Sequence, residues 1–79
     1  MPRYFFDIRD SFGLTEDETG VELPDMDTAI VEARRALAEM TREQMSEPGH
    51  DKIHILIRDG ADGPVHLKVS MDTESPETF

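Results

Sequence analysis

The chain has no cysteine and no tryptophan among its 79 residues, and aromatics make up only 6% of it. Without cysteine there is no disulfide, no thiolate nucleophile and no zinc site built on sulfur, which fits a cytoplasmic protein. No apolar run approaches the roughly 20 residues that a membrane-spanning helix needs. No leader is expected either, because Met1-Pro2-Arg3 runs straight into a strand. Basic residues are scarce: 8 Lys and Arg stand against 18 Asp and Glu, for a net charge of −10. That excess repels phosphate backbones and anionic lipid, so neither direct nucleic-acid binding nor membrane binding is expected. The glycines are isolated or gathered in one turn, so no phosphate-cradling loop is present.

What is present is organised around one stretch, Asp25 to Met45. Its apolar positions, Met26, Ala29, Ile30, Ala33, Ala36, Leu37 and Met40, recur at gaps of three and four, the spacing of a single helix face. Asp25 is placed to cap the first turn, and Asp27 adds negative charge at the positive end of the helix dipole. Pro48 and Gly49 forbid continuation, so the helix ends at Ser46 to Gly49. The small-residue stripe lets the helix lie close on a sheet.

The rest reads as strands and turns. In Arg3–Arg9, Tyr4, Phe6 and Ile8 alternate with Phe5, Asp7 and Arg9, and the first set should face the helix. Asp10–Thr19 reads as an acidic loop, and Gly20–Leu23 as a short second strand antiparallel to the first, with Val21 inward. Lys52–Arg58 is a third strand with Ile53, Ile55 and Ile57 inward. Val65–Met71 is a fourth, with Val65, Leu67, Val69 and Met71 inward. Between them Asp59–Gly63 has the Asp-Gly pairs of a hairpin turn. Pairing apolar with apolar predicts the register Ile57–Val65, Ile55–Leu67 and Ile53–Val69. The expected fold is α+β: a single antiparallel four-stranded sheet with one helix packed on one face, in the order ββαββ, with the third strand next to or near the first. Residues 1–71 form one domain, and 72–79 read as a flexible acidic tail.

The residues offer little chemistry. His54 and His66 fall on the outer face of the terminal hairpin as diagonal neighbours, a distance that suits a metal if a carboxylate joins them; otherwise they are two solvated strand residues. Asp7, Asp10, Asp17, Glu18 and Glu22 make an acidic end that reads as a solvated loop rather than a cation site. Ser11, Ser46, Ser70 and Ser75 lie in no nucleophile elbow. No catalytic residue, cofactor or metal is therefore assigned, and an enzyme is not expected. The apolar anomaly is Phe5 and Leu56, both on the face away from the helix. With His54 and His66 they define the candidate interaction patch, for a protein partner or a second copy in a homodimer. An unpaired edge strand offers another route.

At RYFFDIRD, followed by EDETGVELPDMDTAIVEARRALAEM, the chain resembles a family of small bacterial proteins, common in alphaproteobacteria, classed as a domain of unknown function. The resemblance covers about residues 2–71, and its most specific parts are Arg3-Tyr4-Phe5-Phe6 and Glu22-Leu23-Pro24-Asp25. It implies no activity. Leu23-Pro24-Asp25 with the helix pattern is also similar, at the level of fold, to HicB-type antitoxin domains, although Met26-Asp27 follow where a glycine is usual. That likeness implies an acidic partner for a small basic protein. The reading that results is a non-enzymatic interaction module using the open sheet face or an edge strand. Weak metal binding by His54 and His66 or by the acidic loop is the alternative of a different class.

Overall fold

In the structure, a computed structural model that describes residues 1–59 and 63–75, the first strand is the spine of the sheet. β1 (Arg3–Asp10) pairs along one edge with β2 (Gly13–Thr15) and then β3 (Val21–Glu22), and along the other with β4 (Lys52–Arg58). β5 (Val65–Ser70) pairs with β4 and closes the order β2-β1-β4-β5, every pairing antiparallel. The helix α1 (Met26–Gln44) connects β3 to β4 and packs on one face of β4 and β5. The architecture is the expected α+β layer of one helix on an antiparallel sheet. The sheet has five strands rather than four, because the segment expected as a loop contributes β2.

Local chemistry accounts for the elements. The Asp25 carboxylate accepts from the Thr28 backbone N–H at 2.8 Å and from its hydroxyl at 2.7 Å, so the cap satisfies an orphan donor of the first turn. Met45 closes the last turn through its N–H to the Thr41 carbonyl, and Gly49 turns away at φ +91°. Ile53, Ile55 and Ile57 are fully buried against Ala29, Ala33 and Leu37, and Tyr4 joins them from β1. Their alanines admit close approach, and branched isoleucines fill the pleat. The register across the hairpin is Ile57–Val65, Ile55–Leu67 and Ile53–Val69, as the apolar pattern predicts.

Two inward assignments fail. Val21 is 43% exposed, because β3 is two residues long and lies at the sheet's margin. Met71 is 47% exposed, because pairing stops at Ser70. The hairpin turn read at Asp59–Gly63 falls partly outside the described residues, as does the end of the acidic tail; residues 72–75 are exposed and in no regular element.

Candidate functional site

The face of the sheet opposite α1 carries the outward residues of each strand, and the register arranges them in rows. One row is Leu14–Arg9–His54–Lys68, running from β2 to β5; the next is Asp7–Leu56–His66; a third begins Phe5–Arg58. Lys52 stands opposite Ser70 at the near end. Arg3, opposite Glu22, lies at the far end. Five of the eight basic residues, Arg3, Arg9, Lys52, Arg58 and Lys68, therefore stand on this face, with only Asp7 and Glu22 among the acids paired in its rows. The remaining bases, Arg34, Arg35 and Arg42, are on α1. In a chain of net charge −10, the open face is the basic side.

Its two ends differ. At the Phe5 end charge is neutralised internally. Asp7 is buried and accepts from Arg58 Nε at 2.6 Å and from an Arg58 terminal nitrogen at 3.1 Å, the bidentate geometry that suits guanidinium and carboxylate. The same Arg58 lies over the Phe5 ring at 5.0 Å and donates to the Asp17 carbonyl. Asp17 stands where the ladder is interrupted: residues 16–20 oppose only Phe5, Phe6 and Asp7. Its carboxylate substitutes for backbone acceptors, taking the Phe6 N–H at 3.1 Å, Thr19 N–H at 3.1 Å and Gly20 N–H at 2.9 Å, while its own N–H donates to Asp7. Gly20 sits at φ +71°, and a Cβ there would come within 2.9 Å of the Phe5 ring. The Arg58 guanidinium holds the Asp7 carboxyl below its ordinary range, and the Gly20 N–H does the same for Asp17.

For Asp7, Asp10 and Asp17 this corrects the reading of the acidic end as a solvated loop, while Glu18 and Glu22 are exposed as expected. The oxygens of Asp7 and Asp17 are consumed by a guanidinium and by backbone donors, and those of Asp10 by the Phe12 N–H and the Gln44 side chain. Nor do Phe5 and Leu56 make one continuous exposed patch. They are diagonal across β1 and β4, both only partly exposed, and the Asp7–Arg58 pair stands beside them.

At the other end His54 and His66 meet. His54 Nδ1 and His66 Nε2 are 2.9 Å apart, with ring planes 18° from parallel. The centroids are 5.0 Å apart, 2.1 Å more than the nitrogens, so the nitrogens point at each other along the line between the rings. That is one N–H···N bond, in which the ring that accepts must be unprotonated at the shared nitrogen. Burial first, then the positive charges of His66, Lys68, Arg9 and Lys52, hold the His54 imidazole below its ordinary protonation range. Beside the pair a groove of about 530 Å³ is lined by Leu14, Leu56, Arg9, the two histidines, Asp7 and Glu16. Among the described residues no group of three His, Asp or Glu side chains is gathered that could hold a metal ion.

A second constellation escaped sequence reasoning because its members are 39 residues apart. The Ser11 hydroxyl contacts His50 Nδ1, the Phe12 ring lies on the His50 ring at 4.8 Å, and Glu47 approaches His50 Nε2 to 3.9 Å. Activating a serine needs a base that is itself oriented by a hydrogen-bonded third group. Glu47 is too distant for that bond and 74% exposed. The cluster ties the β1–β2 turn to the connector after α1.

Fold and face together define a small one-helix α+β domain whose sheet is covered on one side. The chain belongs to a family described as a domain of unknown function, DUF6894, whose model matches residues 3–70. No curated protein and no solved structure matches it. No helix among the described residues is long and apolar enough to cross a membrane.

Proposed function

We propose that the domain is a non-enzymatic protein-interaction module that binds through the helix-free face of its sheet. The observation that carries this reading is the groove at the His54–His66 end, where Leu14 (53% exposed) and the partly exposed Leu56 are rimmed by Arg9 and the two histidines. Apolar side chains ringed by polar ones, on a sheet face with no covering layer, are what a partner surface offers. Of the patch read from the sequence, Leu56, His54 and His66 contribute to this groove, whereas Phe5 belongs to the Asp7–Arg58 cluster. Leu14 takes its place, a residue that looked like loop until β2 paired it opposite Arg9. The outer edge of β5, unpaired among the described residues, is a second place where an extended segment can add. The small basic partner implied by the HicB likeness finds like charge on this face, so the antitoxin-like reading loses support here.

The test is a Leu14→Ser, Leu56→Ser double variant. Both side chains lie outside the buried core, so its melting temperature should stay within a few degrees of wild type. Light scattering over a concentration series reports self-association, and cross-linking in lysate reports other partners. Loss of the wild-type assembly or cross-link in the variant supports the groove. Complexes unchanged by the variant place the interaction elsewhere.

A further inference from the structure

The basic end of the open face runs against the charge of the whole chain. Arg9, His54 and Lys68 stand directly opposite one another on three strands, and Lys52 is two residues along β4. Arg9 and Lys68 flank His54 on the neighbouring strands, so a proton on His54 meets like charge from both sides. Acids outnumber bases by 18 to 8, and yet among the described residues none of Arg9, Lys52 and Lys68 forms an ion pair. On the same face Arg3 and Arg58 are both paired. An anionic group seated over the row supplies the ion-pair partner that Arg9, Lys52 and Lys68 lack, and the adjoining groove, with Leu14 and Leu56 as well as Asp7 and Glu16 in its lining, gives it room.

Charge also decides what kind of occupant fits. A second copy docked face to face sets one basic row against another. Docked on α1 instead, the row meets a helix where Asp27, Glu32, Glu39 and Glu43 are nearly balanced by Arg34, Arg35 and Arg42. A long polyanion must cross the acidic remainder of the surface. A short acidic segment feels mainly the row, since charges beyond about 8 Å are screened at physiological salt.

We propose that Arg9, His54, His66 and Lys68, with Lys52 at the rim, receive an acidic segment of a partner protein. This rests on the reading of the helix-free face as an interaction surface and names the chemistry of its partner. The histidine pair makes the docking proton-coupled. With the site empty the two rings share one N–H···N bond. His54 then faces Arg9 from β1, Lys52 on its own strand, and His66 and Lys68 from β5, with the acids Asp7 and Glu16 in the groove lining and Asp10 and Asp51 in the cavity on its other side. A carboxylate over the pair gives a protonated His54 an acceptor. The bound state takes up a proton, so affinity rises as the pH falls.

The probe is a fluorescent glutamate-rich peptide read by anisotropy at low salt, with a serine–glycine peptide and a single-stranded oligonucleotide as comparisons. The expected result is binding of the acidic peptide, weakened roughly tenfold in Arg9→Gln, Lys68→Gln. Its pH dependence should disappear in His54→Gln, His66→Gln. Failure of the acidic peptide to bind, equal binding to the glutamine variants, or preference for the oligonucleotide overturns the proposal. The parent reading fails differently. A lysate cross-link lost in Leu14→Ser, Leu56→Ser but kept in Arg9→Gln, Lys68→Gln, and insensitive to salt, leaves the surface standing and removes only its acidic partner.

Discussion

Asp17 is the residue whose loss tests the structural account most directly. Its carboxylate accepts three backbone N–H bonds, from Phe6, Thr19 and Gly20, across a stretch where the edge of β1 away from β4 has no strand partner. In Asp17→Ala all three donors lose that acceptor. The Thr19 N–H is exposed and rehydrates at little cost, so Phe6 and Gly20, both part-buried, set the magnitude. At about 1–2 kcal/mol for each orphaned part-buried donor, the variant loses about 2–4 kcal/mol. A domain of this length has on the order of 4–12 kcal/mol in total, and the melting temperature should fall by roughly 10–25 °C. Asp17→Asn keeps one carbonyl acceptor for the Thr19 and Gly20 donors but turns an amide toward the Phe6 N–H, so it should lie about midway. Thermal unfolding by circular dichroism ranks the three proteins. Hydrogen exchange at the Phe6 amide reports the broken contact itself. An Asp17→Ala protein that melts within about 3 °C of wild type, with the Phe6 amide equally protected, would refute the role given to this carboxylate.

Stability should fall in acid. Asp7 and Asp17 have native pKa values below their ordinary ones, so the unfolded chain binds protons first, and their contribution is complete above about pH 4 and lost as pH drops through the native values; urea titrations of wild type and Asp17→Asn check the sign, the variant being the flatter. His54 adds the same sign higher up, since its imidazole resists protonation in the fold: stability should decline as the pH falls below about 6.5, less so in His54→Gln. Gly20→Ala should melt lower than wild type, because its left-handed backbone and a Cβ 2.9 Å from the Phe5 ring and 2.8 Å from the Arg3 stem both oppose a side chain. Ile55→Ala empties a fully buried position on a central strand and should cost about 2–5 kcal/mol in denaturant unfolding.

The layer plan was legible along the chain. Helix periodicity from Met26 to Met40, alternation in Tyr4-Phe6-Ile8 and in Ile53-Ile55-Ile57, and the Asp25 cap are local signals. They depend on spacing along the chain, and burial of one face leaves a single consistent solution, including the hairpin register. The His54–His66 neighbourhood was legible for the same reason, because a register once fixed places every residue opposite its partner. What lay between distant segments was decided only by the tertiary structure. Leu14 joined the groove because β2 paired with β1, a three-residue strand too short to carry a periodic signal. Asp7 and Asp17 ceased to be surface acids because Arg58, 51 residues from Asp7, arrived on the neighbouring strand. Arg9, Lys52 and Lys68 read along the chain as scattered bases in an acidic protein. They became one row because antiparallel pairing brings three strands side by side, while each side chain's charge is unchanged by where the fold sets it.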